Sequence, residues 1–240
     1  MTKEHLKKIH DYSKAIELNP NDFEAYYLRA NVKGQAGNNL GAIQDVTKSL
    51  ELNPENELAY YFRGSMKDKQ GEHIGAISDY TRALELNSKN ELTYYCRGHA
   101  NARVEAYEEA IYDYNKAIEC NPKYAGAYFW RGVAKFNLKD YNGAIQDYNK
   151  AIEYNPKLSL AYKNRGKTKE KQGDPKSAIK DYCKAISLNP RDPEAYYLRG
   201  WAKYVIGDLK GAIQDLARAG ELGQADASSG INMIKSRIVK

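Results

Sequence analysis

Gly143-Ala144-Ile145-Gln146-Asp147-Tyr148-Asn149-Lys150-Ala151-Ile152-Glu153-Tyr154-Asn155-Pro156 is the stretch on which the fold turns. Its apolar residues Ala144, Ile145, Tyr148, Ala151 and Ile152 fall at i, i+1, i+4, i+7 and i+8. That is the stripe of a helix, not the alternation of a strand. The closing proline stops this helix and can start another.

The stretch has relatives along the chain. Asn-Pro recurs at Asn19-Pro20, Asn53-Pro54, Asn121-Pro122 and Asn189-Pro190, with Asn87-Ser88 in register, so the period is 34 residues. Six units fill residues 23–226: 23–56, 57–90, 91–124, 125–158, 159–192 and 193–226. Each reads as two helices. The first opens near Glu-Ala-Tyr-Tyr and leaves at a glycine such as Gly37, Gly71, Gly173 or Gly207, since glycine tolerates positive φ. The second opens near Gly-Ala-Ile and runs to Asn-Pro. Small residues recur in both: Ala30, Gly64, Gly98, Gly132, Gly166 and Gly200 in the first, Ala42, Ala76, Ala110, Ala144, Ala178 and Ala212 in the second. Two helices approach closely only where neither carries a large side chain. The expectation is a set of tight antiparallel hairpins that bury each other's open faces by stacking.

This pattern resembles the tetratricopeptide repeat family, whose period is about 34 residues and whose signature runs Trp-x-x-Leu-Gly-x-x-Tyr, Ala-x-x-x-Phe, Pro. The fourth unit reads Tyr128-x-x-Arg131-Gly132-x-x-Lys135, Ala144-x-x-x-Tyr148, Pro156. The resemblance covers nearly the whole chain. It implies an all-α fold, an α-solenoid wound as a right-handed superhelix, with first helices lining a concave groove. It also implies a protein that holds a partner and is not an enzyme.

One departure from the signature recurs in every unit. Arginine stands in the leucine slot: Arg29, Arg63, Arg97, Arg131, Arg165 and Arg199. Every second helix carries an aspartate: Asp45, Asp79, Asp113, Asp147, Asp181 and Asp215, with Asp11 in the N-terminal half unit. A guanidinium beside the close-packed glycine is buried, and a buried charge without a partner costs several kcal/mol. A structural arginine–aspartate ladder is therefore expected. Asp11 suggests that each arginine reaches back to the preceding unit's aspartate, Arg29 to Asp11.

The ends read as caps. Residues 1–22 match only a second helix, and Lys8 takes the slot that elsewhere holds the close-packed alanine. Residues 227–240 place Ala227, Ile231, Ile234 and Ile238 on one face, after a turn at Gly220 and Gly223. Stacked repeats need such ends, or the last apolar face meets water. The expected count is fourteen helices: one, then twelve, then one.

Slots that vary between units are free to serve a partner. On the first helices these are Phe129, Val133 and Phe136, then Lys163, Lys167 and Lys171, then Tyr197, Trp201 and Tyr204, with Tyr95 upstream. Residues 159–192 hold nine Lys and Arg against four Asp and Glu. The three lysines lie at i, i+4 and i+8, where like charges repel by a few tenths of a kcal/mol per pair. An acidic peptide with apolar residues would relieve that repulsion, and is the partner expected. A self-assembling scaffold is the alternative. A nucleic-acid-binding solenoid ranks third, because the positive charge gathers in one unit instead of running along the groove. The resemblance to the family's carboxylate clamp is poor, since Trp130 and Leu198 stand where polar residues are needed.

Other function classes find no support. Ala161-Tyr-Lys-Asn-Arg-Gly166-Lys167-Thr168 imitates a phosphate loop but lacks its first glycine and its preceding strand. Cys96, Cys120 and Cys183 are widely spaced and read as packing residues. His5, His10, His73 and His99 have no metal-ligand spacing. No catalytic set, metal, cofactor or small-molecule substrate is expected. No apolar run approaches the roughly 18 residues of a membrane span. The charged Met1–His10 segment is not a secretory signal, which makes the cytoplasm the default location.

Overall fold

A computed structural model describes residues 2–238, and side chains through Ser236. Fourteen helices and no strands are present among the described residues. Met1 and residues 239–240, the outermost positions of the two expected caps, lie outside them, as does the side chain of Ile238.

The chain divides into two compact units, Met1–Pro122 and Lys123–Lys240. The first holds α1 (Lys3–Leu18), α2 (Phe23–Gln35), α3 (Asn39–Leu52), α4 (Glu57–Lys69), α5 (His73–Leu86), α6 (Glu91–Arg103) and α7 (Tyr107–Cys120). The second holds α8 (Ala125–Asn137), α9 (Tyr141–Tyr154), α10 (Ser159–Lys171), α11 (Pro175–Leu188), α12 (Pro193–Val205), α13 (Leu209–Glu221) and α14 (Ala227–Ile238). Within each unit every helix packs on the one before and the one after, and the tightest pairs are the hairpins α2–α3, α4–α5, α6–α7, α8–α9, α10–α11 and α12–α13. The chain is an all-α solenoid.

Local chemistry sets the helix ends. The second helices α3, α5, α9 and α11 exit at Asn53, Asn87, Asn155 and Asn189, all non-helical, with φ between −134° and −142°. Each asparagine Oδ1 accepts the backbone N–H two residues on, an Asx turn. Asn87 makes this turn at 3.1 Å to Lys89 N–H although Ser88 replaces proline. The asparagine, not the proline, is therefore the stop that these four helices share. First helices leave through a left-handed residue: Gly37, Gly71, Gly173 and Gly207, but also Glu105 (φ 62°) and Lys139 (φ 64°). Gly220 lies inside α13, and the turn into α14 is made by Gly223 alone (φ 101°).

The cores are built on tyrosine. Tyr80 and Tyr114 in the first unit, and Tyr148 and Tyr182 in the second, are fully buried. Each ring lies over the glycine of its hairpin: a Cβ added at Gly132 would sit 2.8 Å from Tyr148 Cε1. Burying such a ring removes about 150 Å2 or more from water, on the order of 4 kcal/mol at about 25 cal/mol per Å2. The outer hairpins use smaller pairs. Ala30 packs in one cluster with Val46, and Gly200 faces Leu216. At the C-terminal end α14 lays Ile231, Met233 and Ile234 against Trp201, Leu216 and Tyr204.

Candidate partner-binding site

The arginine slot forms a buried charged centre in every hairpin. Arg29 Nε and Nη2 both donate to Asp45 at 2.8 Å. The same two-pronged pairing joins Arg63 to Asp79, Arg97 to Asp113, Arg131 to Asp147, Arg165 to Asp181 and Arg199 to Asp215. Each pair lies within one unit, so the expected reach of Arg29 back to Asp11 is corrected. Asp11 is exposed. It occupies the register of Asp45, which faces the first helix of its own hairpin, and α1 is the first helix among the described residues.

The arginines do reach back, through a different atom to different residues. Nη1 of Arg29, Arg63, Arg97, Arg165 and Arg199 donates to Ser13, Thr47, Thr81, Asn149 and Cys183 of the preceding second helix. The guanidinium thus joins two strong acceptors in its own hairpin to one neutral acceptor in the hairpin before. Each arginine also lies over a tyrosine three residues earlier, at 5.3–5.8 Å from the ring centroid. A third partner escaped the reading of the sequence although its period was visible. Lys33, Lys67, Lys135, Lys169 and Lys203 hold the second carboxylate oxygen at 2.7–2.8 Å. In the third hairpin Asn101 takes that place, 3.0 Å from Asp113. These centres are structural: their donors and acceptors are spent on one another.

Three of the residues expected from sequence, Val133, Phe136 and Lys167, meet at one cleft of the second unit. Val133, Phe136 and Asn137 of α8, Tyr148 of α9, and Asn164 and Lys167 of α10 line a cleft of about 140 Å3. Helix α8 places its residues there because slots 133, 136 and 137 lie three to four apart on one face. Lys167 Nζ stands 5.7 Å from the Phe136 centroid, a cation–π contact, and Phe136 packs against Tyr141 at 5.5 Å. Lys171, one turn on, is exposed. Asn137 donates to the Val133 carbonyl at 2.9 Å, an ordering contact on the cleft wall. Asn137 was missed from sequence, because its slot differs from unit to unit like its neighbours, and Asn164 was read there only as a slot of the poorly matched carboxylate clamp.

The remaining groove residues go elsewhere. Lys163 is buried, with Nζ 2.9 Å from Asp192 and 2.7 Å from Glu194. Burial alone would lower its pKa, but the hydrogen bonds it donates to Glu194 and Asp192 outweigh that and hold it above the usual lysine value. The open row of three lysines is therefore corrected to two, Lys167 and Lys171. The α12 N-terminus supplies the acids, and a lysine this buried needs them. Phe129 is also buried, packed edge-on to Trp130 at 5.2 Å and against Tyr148 at 5.9 Å. Tyr197 and Tyr204 each meet Trp201 edge-on, at 6.1 and 5.7 Å, beside the C-terminal helices. A Cβ at Gly230 of α14 would come within 3.1 Å of the Trp201 ring, so α14 covers part of Trp201, and all three aromatic residues are half-buried. Tyr95 belongs to the first unit, 6.0 Å from Tyr114, and does not line this cleft.

Among the described residues no group of three His, Cys, Asp or Glu side chains could hold a metal, and no helix is long and apolar enough to cross a membrane. Cys120 and Cys183 are exposed and Cys96 half-buried, so only Cys96 packs as expected.

Comparison with known proteins agrees with this architecture. Profiles described as TPR repeat match residues 105–139 and 171–207, and profiles described as tetratricopeptide repeat match 12–44, 58–90 and 125–158. Comparison with curated proteins gives no match. Among solved structures, MamA is 27% identical over 68% of this chain and 95% of its own, with a TM-score of 0.66. YrrB, described as a TPR protein with an unusual peptide-binding site, is 25% identical over 77% of this chain and 95% of its own, at 0.68. The C-terminal part of a TPR repeat-containing protein from Cytophaga hutchinsonii shares the fold over 95% of both chains, at 19% identity and a TM-score of 0.77. Repeat, helix order and hairpin packing converge on one assignment: the chain belongs to the tetratricopeptide repeat family.

Proposed function

We propose that this protein is a protein-interaction scaffold that holds a peptide or partner segment in the α8–α10 cleft of its second unit. The observation that carries this reading is the cleft itself: an apolar floor of Val133 and Phe136, a cation at Lys167, and the amides of Asn137 and Asn164 within one 140 Å3 space. That composition suits an apolar side chain beside a carboxylate, so an acidic segment with apolar residues is the partner chemistry it fits. The walls are helices, so little ordering cost falls on binding. The likeness to YrrB, itself described as having a peptide-binding site, supports the class of function and not the peptide.

The test is titration calorimetry with a library of short peptides that combine carboxylates with Leu, Phe or Tyr. A peptide that binds the wild type should lose about tenfold in affinity, or ~1.4 kcal/mol, on Lys167→Glu/Lys171→Glu. A control substitution at the exposed Lys210 should leave affinity unchanged. Equal binding by wild type and the double variant would sink the reading.

A further inference from the structure

Charge is divided unevenly between the two units. Residues 1–122 hold 15 Lys and Arg against 19 Asp and Glu, and residues 123–240 hold 22 against 12. The first unit is net −4 and the second net +10. The buried arginine centres do not cause this, since they recur in both. The asymmetry lies in side chains that face water.

Two surfaces concentrate it. Lys176, Lys180 and Lys184 lie at i, i+4 and i+8 on α11, and all three are exposed. In the other hairpins the cation in the Lys184 slot is neutralised by a glutamate three residues on: Lys48 by Glu51, Arg82 by Glu85, Lys116 by Glu119, Lys150 by Glu153 and Arg218 by Glu221. In α11 that glutamate is Ser187, whose hydroxyl donates to the Lys184 carbonyl. The α11 lysines form a ridge with no ion pair among the described residues. In the first unit, Glu105 of the α6–α7 turn and Glu108 and Glu109 of the first turn of α7 are exposed, and they too have no ion pair among the described residues. Tyr112, one turn further, is 54% exposed. Glu108 stands in the repeat slot of Lys176, and Tyr112 in that of Lys180. Both surfaces therefore belong to second helices, apart from the first-helix face that lines the cleft.

We propose that these surfaces fit each other across two copies of this chain: the acidic α6–α7 turn of one copy docks on the α11 lysine ridge of another. Each copy carries both faces, so every contact pairs the acidic face of one copy with the basic face of another. Association then grows as concentration rises. Exposed charges are screened over about 8 Å at physiological ionic strength, so the contact weakens as salt is added. This inference does not depend on the cleft or on what the cleft holds.

The experiment is sedimentation of the full chain at about 20 mM and about 500 mM sodium chloride, where the screening length falls severalfold. The average mass should climb with protein concentration at low salt and return to that of a monomer at high salt. Lys176→Glu/Lys180→Glu/Lys184→Glu and Glu105→Lys/Glu108→Lys/Glu109→Lys should each weaken association at least tenfold, with unchanged helical circular dichroism because all six positions are exposed. Mixed in equal amounts, the two variants should associate again, because each supplies the charge that the other has reversed. A wild type that stays monomeric at low salt, a triple variant that associates like wild type, or a mixture that stays monomeric would each overturn the proposal.

Discussion

Asp147 accepts three hydrogen bonds from two cations: Arg131 Nε at 2.9 Å, Arg131 Nη2 at 2.5 Å and Lys135 Nζ at 2.8 Å. Removing it leaves two neighbouring positive charges in a protein interior. Asp147→Ala should therefore destabilise the chain by about 3–5 kcal/mol in urea unfolding. Lys150→Ala, which breaks the exposed pair with Glu153, should cost only about 0.5 kcal/mol. Asp113 shows the effect of one cation fewer: burial pushes its carboxyl up despite Arg97 and Asn101. Glu170 titrates for a related reason. Half-burial pushes its carboxyl above the usual 4.5, although the hydrogen bond from Tyr182 pulls the other way. Because the folded pKa is the higher one, the protonated form is favoured by folding. Its contribution to stability is present below the unfolded pKa and is lost as pH rises through the folded value. Glu170→Gln should match the pH dependence of wild type below the usual glutamate pKa and gain on it as pH rises from there through the raised folded value, read as a growing difference in urea midpoints. The repeat spacing made the arginines and aspartates visible, and with them the need for pairing. It did not reveal direction, because Arg29 stands 16 residues before Asp45 and 18 after Asp11, and only the hairpin's fold distinguishes the two.

At the scale of the element, four hairpins make the first-helix exit with glycine and two with a longer side chain. The exit of α8 asks Lys139 to hold φ at 64°, where α10 uses Gly173 at 82°. A non-glycine residue in that region pays about 1–2 kcal/mol. Lys139→Gly should stabilise by up to about 1 kcal/mol, after the greater chain entropy of glycine is counted. Gly173→Ala should destabilise by about 1 kcal/mol. Thermal unfolding of the two variants checks both signs, and the same sign for both would contradict the left-handed turn. Glycines at Gly37, Gly71, Gly173 and Gly207 announced these turns in the sequence. Glu105 and Lys139 gave no such signal, since nothing about either residue type reports a positive φ.

Across the whole molecule, the ends decide which surfaces stay open. Helix α14 buries Ile234 completely and covers Trp201 through Gly230. Ile234→Ala should cost about 2–5 kcal/mol and shift Trp201 fluorescence to the red as the cap loosens. A cost under about 0.5 kcal/mol would mean that α14 is not a cap. Tyr197, Trp201 and Tyr204 are half-buried around the α14 contact and do not line the α8–α10 cleft. Burial of Lys163 and Phe129 narrows the expected groove further, to the cleft between α8 and α10. Variable slots identified a face, but a face holds both core edge and open surface.

The sequence by itself determined the repeat, the helix pairs and the family. Those follow from periodicity, small residues and turn chemistry, all of which are local and recur every 34 residues. It also determined that the arginines must find carboxylates, because desolvation of a charge does not depend on the details of packing. Only the tertiary structure decided which aspartate each arginine takes, which lysines are spent on Asp192 and Glu194, and which aromatic residues α14 covers. Those outcomes depend on which side chains from different hairpins arrive at the same place. Spacing along the chain does not encode that meeting; the stacking geometry does.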